Sequence, residues 1–237
     1  MTDCLFRDDA YLQRCSATVV GHSEQGGVIL DRTVFYATGG GQPGDAGTLA
    51  WEGGEMAVAT AVKDPAGIAH VPAEEATLPP VGAEVEAVLD WARRLRHMRC
   101  HTALHLLSVV IPLPVTGGSI GADKGRLDFD MPEAPGEKDV LQAKLQALID
   151  ADHPVSTEWI TDAELEANPG LVKTMAVKPP MGEGRVRLVR IGSGDGTVDL
   201  QPCGGTHVRS TGEIGAVSLG KIEKKGRQNR RVSILIG

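Results

Sequence analysis

The sequence contains few aromatic residues: three phenylalanines, three tryptophans and two tyrosines among 237 residues. Its hydrophobic cores must therefore be built mainly from Val, Leu, Ile and Ala. No apolar run approaches the roughly 20 residues that a helix needs to cross a bilayer, so we expect no membrane partner. The amino terminus also lacks the uninterrupted apolar stretch of a signal peptide, because it carries the charged residues Asp3, Arg7, Asp8 and Asp9.

Cysteine is scarce as well. Its four copies, Cys4, Cys15, Cys100 and Cys203, are too scattered for the disulfide framework of a small secreted domain. A reducing cytoplasm is the location that this pattern predicts. With 41% hydrophobic and 23% charged residues, the composition is that of an ordinary globular protein, long enough for two modest domains.

The net charge of −7 disfavours a nucleic-acid partner at first sight, but the charge is unevenly distributed. Residues 1–90 hold 4 basic against 14 acidic residues, whereas residues 91–237 hold 20 against 17. The final seventeen residues contain six basic residues and one acidic residue. A polyanionic partner is therefore expected to bind the second half of the chain and its tail.

The most informative stretch is residues 100–107, in which His101 and His105 lie four positions apart. On a helix, two such imidazoles share one face, about one turn apart. His97 has the same spacing to His101, so a pair of His97 with His101 is an alternative. The cations around His97 would oppose a nearby dication. We therefore predict that His101 and His105 form the functional pair and that His97 is a flanking or RNA-facing residue.

A second pair with the same spacing, Cys203 and His207, lies far downstream in the sequence Cys-Gly-Gly-Thr-His. One thiolate and three imidazoles form a nitrogen and sulfur ligand set that suits zinc better than magnesium or calcium. The predicted ligands come from a helix and a distant glycine loop, unlike the close Cys-x-x-Cys knuckles of small zinc modules. Gly204 and Gly205 would expose backbone amides beside the metal, where amides stabilise an oxyanion.

The residue types alone do not decide whether such an ion is structural or catalytic. Four protein ligands would close a tetrahedral zinc site, which is typical of structural zinc. A displaceable fourth ligand would instead allow the ion to activate water or to position a substrate. In a further alternative, one imidazole acts as a general base beside three true ligands.

Residues 1–90 show short β-forming segments separated by glycine and proline, without a helical pattern. This succession of strands predicts a small β-barrel. The glycine-rich loop at 39–47 is interpreted either as a tight turn or as backbone that approaches a ligand. Strands are predicted at 17–20, 27–30, 33–36, 56–62, 68–71 and 84–89.

Residues 91–237 mix helical and strand patterns, so the chain as a whole is predicted to be α+β, with a second domain beginning at residue 91. A helix over 91–110 should end before Pro112 and Pro114. An amphipathic helix is predicted over 137–151, and a capped helix start at 161–164. Strands are predicted at 119–120, 126–130, 155–160, 185–191, 214–219 and 232–236.

The paired motifs carry a family resemblance. The sequences His-Thr-Ala-Leu-His-Leu-Leu at 101–107 and Cys-Gly-Gly-Thr-His-Val at 203–208 closely resemble the editing domain of alanyl-tRNA synthetase and its free-standing relatives, the AlaX proteins. The resemblance extends to residues 35–47, 123–129 and 225–231. No aminoacylation domain accompanies these motifs, and the chain is not expected to charge tRNA.

That family hydrolyses, without ATP, the ester between alanine tRNA and a wrong amino acid, typically serine or glycine. The resemblance implies an N-terminal barrel similar to a translation-factor domain, followed by a two-layer α/β editing domain with a mostly antiparallel sheet. It also implies that the catalytic zinc ligands are His101, His105, Cys203 and His207. Substrate contacts are expected from Gly204, Gly205 and Thr206.

Two further sets of residues follow from the resemblance. Thr116 falls near a family position where a polar residue contacts the amino-acid side chain, and a hydroxyl there would favour seryl over alanyl ester. It would not account for glycine, and an ordinary turn hydroxyl is the alternative. Tail residues expected to contact acceptor-stem phosphates are Lys221, Lys224, Lys225, Arg227, Arg230 and Arg231. A solvated β-hairpin is the alternative for the tail.

We therefore expect a cytoplasmic, zinc-dependent esterase that acts in trans on tRNA(Ala) mischarged with serine or glycine. Two other function classes compete with this hypothesis. An RNA-binding module with a purely structural Cys-His₃ zinc would bind tRNA without deacylating it. A small-molecule metallohydrolase would act without tRNA and would be insensitive to the tail charges.

Overall fold

The computed structural model describes residues 2–133, 135–174 and 184–237. The chain divides into two compact units, Met1–Leu95 and Arg96–Gly237. In the described part of the chain no helix is long and apolar enough to span a bilayer.

The first unit is built around a closed barrel of six antiparallel strands, in the order β2-β3-β7-β6-β5-β8. Two short strands, β1 and β4, pair in parallel as a separate ribbon. The strands are β1 (Asp3–Cys4), β2 (Arg14–His22), β3 (Val28–Leu30), β4 (Arg32–Thr33), β5 (Gly47–Trp51), β6 (Gly54–Asp64), β7 (Gly67–Pro72) and β8 (Glu84–Leu89). The predicted small barrel is confirmed.

Strand β8 shows why the alternating pattern was a reliable signal. Val85, Ala87 and Leu89 are buried in the barrel core, while Glu84 and Glu86 on the opposite face are exposed. Successive side chains of a strand point to opposite faces, so a period of two in hydrophobicity marks a strand with one buried face.

The strand predicted at 33–36 is wrong beyond Thr33. Val34, Phe35 and Tyr36 are all buried, and their segment is not part of a β-ladder. Side chains satisfy the backbone instead: the Phe35 N–H donates to Thr33 Oγ1 (3.0 Å) and the Tyr36 N–H donates to Asp45 Oδ2 (2.6 Å). The β-branched and aromatic composition signalled burial, which a strand shares with this irregular core segment.

The glycine-rich loop closes a tight turn and packs closely on neighbouring strands. Gly40 and Gly41 adopt positive φ angles of 57° and 82°, a region that favours glycine. A Cβ at Gly44 would lie 2.1 Å from the carbonyl oxygen of Ala61, and one at Gly47 would lie 2.1 Å from that of Val88. A side chain at either position would clash with the backbone of a neighbouring strand, so packing within the first unit explains why these residues are glycine.

The rest of the chain combines helices with two antiparallel sheets, so the predicted α+β class with mostly antiparallel sheet is confirmed. One sheet has the order β14-β15-β10-β9 and the other β11-β12-β13. The elements are α1 (Trp91–Val110), β9 (Val115–Ser119), β10 (Lys124–Asp130), α2 (Lys138–Asp150), β11 (Val155–Thr161), α3 (Asp162–Ala167), β12 (Arg185–Ile191), β13 (Asp199–Pro202), β14 (Val217–Lys225) and β15 (Asn229–Ile236).

Local sequence signals define the helices well. Helix α1 has the predicted bounds, and Pro112 and Pro114 follow its end. Helix α3 begins at a capping box in which Thr161 Oγ1 accepts the Glu164 N–H (3.1 Å) and Glu164 Oε2 accepts the Thr161 N–H (2.7 Å). Helix α2 buries an apolar stripe at four-residue spacing, made of Leu141, Leu145 and Ile149.

Candidate metal centre

Helix α1 brings His101 and His105 to the same face, with their ring centroids 5.2 Å apart. Both are buried, since adjacent helix positions such as Cys100 and Leu104 pack into the core. His97 is also buried, with 2% of its surface exposed, so the expectation that it faces RNA is wrong. The arginines around His97 lie on the same helix, but the His97 side chain itself packs into the interior.

The second pair lies in the loop after β13, and a buried arginine of β12 holds that loop. The Cys203 N–H donates to the Arg187 carbonyl (3.1 Å), while Arg187 Nη1 donates to the carbonyls of Cys203 (2.8 Å) and Gly205 (2.9 Å). These bonds fix the backbone on both sides of Gly204. His207 follows in the same loop and is buried.

The two pairs converge. The candidate ligand atoms of His101, His105, Cys203 and His207 all lie within 4.8 Å of one another. Cys203 Sγ is 3.5 Å from His101 Nε2 and 3.4 Å from His207 Nε2. Around a tetrahedral zinc ion, bonds of about 2.3 Å to sulfur and about 2.0–2.1 Å to nitrogen would separate these atoms by about 3.5 Å. The donor set therefore fits zinc in kind and number, and the two distances from Cys203 Sγ match those of a tetrahedral site.

The outer face of His105 is held by a carboxylate. Its Nδ1 donates to Asp199 Oδ2 at 3.0 Å, which leaves Nε2 directed at the cluster. The fully buried Asp199 side chain also accepts a hydrogen bond from Gln201 Nε2 (2.7 Å). It forms an ion pair with Lys173 as well. Carboxylates that bind the second nitrogen of a metal-ligating histidine fix its tautomer and orientation.

The outer face of His207 is held by a hydroxyl. Thr102 Oγ1 lies 3.1 Å from His207 Nδ1 and donates its own proton to the Met98 carbonyl (2.9 Å), so it accepts from the imidazole. Thr102 lies inside the helical motif, between the two histidines. This pairing again directs Nε2 of His207 towards Cys203.

The cluster has the electrostatics of a cation site. Burial opposes ionisation of Cys203, but the imidazoles of His101 and His207 outweigh it and hold the thiol pKa well below its usual value. Burial likewise opposes protonation of His105, yet hydrogen bonds to Asp199 and Cys203 raise its pKa to about 9. For His207, burial and the neighbouring His101 lower the pKa to about 3. A thiolate and a carboxylate thus concentrate negative charge around the imidazoles.

Four residues around the cluster were not predicted from the sequence: Thr102, Lys173, Asp199 and Gln201. Asp199 and Gln201 precede the Cys203 motif by four and two positions, and alternation along a strand would have placed them on one face. Which histidine they meet depends on the packing of β13 against α1. That packing leaves no local sequence signal.

The predicted substrate residues lie in different surroundings. Gly205 and Thr206 are buried, and the Gly205 N–H points at Cys203 Sγ (3.4 Å). Gly204 is exposed, and among the described residues its N–H has no hydrogen-bond partner. Thr116 lies on β9, where its hydroxyl donates to the Asp128 carbonyl across the strand pair (3.1 Å).

The basic tail forms most of the β14–β15 hairpin, so the two strands are longer than predicted. Arg231 forms a two-pronged pair with Asp128 (2.7 and 2.9 Å), and this arginine lowers the pKa of that carboxyl. Arg230 donates to the Pro132 carbonyl (2.9 Å), and Lys225 pairs with Glu223 (3.0 Å). The remaining tail cations are exposed and form no ion pair among the described residues; they are Lys221, Lys224 and Arg227.

Comparisons with known proteins show which proteins the chain is similar to. Residues 186–233 match the family model described as "Threonyl and Alanyl tRNA synthetase second additional domain", and residues 10–93 match "tRNA synthetases class II (A)". The chain is 35% identical to the alanyl-tRNA editing protein AlaX-M of Methanosarcina mazei, over 98% of this chain and 95% of that protein. The corresponding protein of Methanosarcina acetivorans is 35% identical over 98% of both chains. An alanine–tRNA ligase of Pyrobaculum neutrophilum is 37% identical over 93% of this chain but 25% of the ligase.

Proposed function

The chain belongs to the family of alanyl-tRNA editing proteins, and from this premise we propose that it hydrolyses serine or glycine from mischarged tRNA(Ala) in trans, with zinc as its metal. It is a hydrolase of the aminoacyl ester bond. Products are the free amino acid and a tRNA with a free 3′-terminal hydroxyl. In our proposal the reaction takes place in the cytoplasm and consumes no ATP.

One observation carries the proposal. Four nitrogen and sulfur donors from two remote segments converge within 4.8 Å, in a chain related over nearly its whole length to editing proteins. The residues that would hold zinc are His101, His105, Cys203 and His207. When bound, zinc supplies a Lewis acid that polarises an ester carbonyl or a water molecule.

The remaining roles belong to the chain's own side chains and backbone. Asp199 and Thr102 orient His105 and His207 through their Nδ1 atoms. Arg187 donates to the carbonyls of Cys203 and Gly205 and so holds the backbone on both sides of the exposed Gly204 amide. In our proposal this amide stabilises the negative charge that develops on the carbonyl oxygen when water attacks the ester. The ribose oxygen leaves and takes a proton.

Recognition of the substrate is divided between two surfaces in this proposal. Thr116 contacts the hydroxyl of a seryl ester, and the tail cations contact phosphates of the acceptor stem. Among the tail residues, Lys221, Lys224 and Arg227 are the best suited because their charges are exposed and unpaired with described residues. Arg230 and Arg231 carry internal hydrogen bonds, which support a structural contribution as well.

A second function is favoured by one feature of the site. Four protein donors can saturate a tetrahedral zinc ion, as in structural zinc sites. The alternative is therefore an RNA-binding module whose zinc only stabilises the fold.

The decisive experiment is deacylation of Ser-, Gly- and Ala-tRNA(Ala) with and without a chelator, for the wild type and His101→Ala. We expect rapid release of serine or glycine, slow release of alanine, and loss of activity in the variant while tRNA binding persists. Binding without hydrolysis by the zinc-loaded wild type would favour the structural-zinc alternative. Cys4→Ser, a thiol substitution in the first unit, is the control that should leave hydrolysis unchanged.

A further inference from the structure

An exposed tryptophan lies on the sheet that carries the metal loop. Trp159 on β11 is 37% exposed, although the chain has only three tryptophans. The guanidinium of Arg185 lies 4.6 Å from the centroid of its ring. Among the described residues Arg185 has no carboxylate partner, and the indole N–H has no acceptor. The Trp159 ring is therefore partly exposed to solvent, and the guanidinium that lies over it has no carboxylate to neutralise its charge.

This stack is aligned with the candidate metal site. Trp159 is directly opposite Arg187 in the antiparallel pair of β11 and β12, and the Cys203 N–H bonds to the Arg187 carbonyl on the other side. The three residues thus form a row across the sheet. Since neighbouring strands lie about 4.8 Å apart, the backbones of Trp159 and Cys203 are about 10 Å apart.

The stack also shares a sheet face with the residues behind the metal cluster. Residues directly opposite one another in an antiparallel pair project to the same face. The register pairs Trp159 with Arg187, Val189 with Gln201 and Ile191 with Asp199. Trp159 and Arg187 therefore point to the same side as Gln201 and Asp199, the two residues bonded around His105.

We propose that the Trp159–Arg185 stack binds an unpaired nucleobase at the 3′ end of the aminoacylated tRNA and so positions the ester at the metal cluster. This inference rests on the proposed function, because the ester is carried by the ribose of the terminal nucleotide. A base attached to or next to that ribose lies within about one nucleotide length of the ester, and the backbones of Trp159 and Cys203 are only two strand spacings apart. Unpaired RNA ends are recognised by stacking on aromatic rings and arginine planes.

The chemistry favours RNA over a peptide partner. A base stacks on the ring while its phosphate faces the free guanidinium, so both components of the stack are used. Stacking persists from the bound substrate to the transition state. It should therefore lower KM and leave kcat nearly unchanged.

The test uses the full chain and Ser-tRNA(Ala), with Trp159→Leu, Trp159→Phe and Arg185→Gln. Stacking of one base on an aromatic ring increases the binding affinity about tenfold. Trp159→Leu should therefore raise KM about tenfold without a comparable change in kcat. Trp159→Phe should recover most of the wild-type KM, and Arg185→Gln should be intermediate. Arg14→Gln removes the same charge from an exposed position of the barrel and should have no effect.

A binding measurement separates stacking from general RNA affinity. Wild-type protein should bind an acceptor-stem minihelix with an unpaired 3′ end more tightly than the same duplex with a blunt end, and Trp159→Leu should abolish this preference. Zinc content and melting temperature are compared first. If Trp159→Leu is unstable, the KM of Arg185→Gln and its preference for the unpaired end are used as the test instead.

Each outcome has a distinct meaning. A wild-type KM together with an undiminished preference for the unpaired end, in Trp159→Leu or its replacement, would overturn the stacking site and leave the deacylase intact. Equal losses on unpaired and blunt RNA would also overturn it. Failure of the zinc-loaded wild type to release any amino acid would instead refute the proposed function.

Discussion

Asp199 Oδ2 accepts a hydrogen bond from Nδ1 of His105 at 3.0 Å, across 94 positions of sequence. The carboxylate is completely buried and is also bound by Lys173 and Gln201. It is thus a fixed part of the interior that determines which imidazole nitrogen faces the candidate metal cluster.

The first prediction concerns this carboxylate. Asp199→Asn should weaken zinc binding about 10- to 100-fold, because an amide neither fixes the tautomer of His105 nor increases its basicity as a carboxylate does. Zinc affinity is measured by competition with a chromogenic chelator. Asp195→Asn changes an exposed aspartate in the preceding loop and is the matched control. Wild-type affinity in Asp199→Asn would show that the hydrogen bond has no role in metal binding.

The second prediction tests the sulfur ligand. Cys203→Ser should reduce the zinc content sharply, since a hydroxyl is a much poorer zinc ligand than a thiolate. Metal analysis after gel filtration gives the stoichiometry, and Cys4→Ser controls for general thiol effects. One equivalent of firmly bound zinc in Cys203→Ser would count against Cys203 as a ligand.

The third prediction divides the basic tail into two classes. Lys224→Gln with Arg227→Gln should weaken tRNA binding and reduce the slope of log affinity against log salt by about 0.7–0.9 for each phosphate that the protein no longer neutralises. Arg231→Gln should mainly lower the free energy of unfolding, because it removes both bonds to Asp128. Salt titrations of binding and urea unfolding are the two measurements. If Arg231→Gln alone affected the salt slope, this division would be incorrect.

The fourth prediction concerns Thr116. Thr116→Val should lower the ratio of kcat/KM for seryl over alanyl ester by about 2- to 10-fold, the range for one hydrogen bond. Thr48→Val in the barrel removes a hydroxyl elsewhere and should leave the ratio unchanged. An unaltered ratio in Thr116→Val would leave its hydroxyl with the structural role seen at the Asp128 carbonyl.

The fifth prediction is a pH effect in the barrel. His70 is completely buried; its Nδ1–H donates to the Val28 carbonyl (2.9 Å), and its Nε2 accepts from the Thr33 hydroxyl (2.8 Å). Burial lowers the pKa of His70 from 6.5 to about 4. The stabilisation from the neutral ring is therefore complete above the unfolded pKa and is lost as the pH falls towards 4.

Between pH 7.5 and pH 5 this histidine should reduce the free energy of unfolding by about 2 kcal/mol. Urea unfolding of the wild type and His70→Gln at both pH values isolates the effect, since the glutamine does not titrate and the other groups cancel in the difference. Equal pH dependence in the two proteins would mean that folding does not lower the pKa of His70.

The elements that the sequence predicted best have strong local signals. Helix α1 has proline after its end, α3 has a capping box, and β8 alternates strictly. The segment at 34–36 does not form the predicted strand, because a segment buried on all sides has the same composition as a strand. The candidate site shows the same dependence on local signals. The four-residue spacing of His101 and His105 predicted one pair of metal ligands, whereas the contact of Asp199 with His105 is visible only in the folded structure. A contact between remote segments has no periodicity from which it can be inferred.

The two halves of the candidate site are separated by 102 positions, from His101 to Cys203. An ion held by both would act as a reversible cross-link that closes a loop of about a hundred residues, the situation in which tethering removes the most freedom from an unfolded chain. If that ion is the zinc proposed above, its removal should lower the free energy of unfolding of the protein as well as its rate of deacylation.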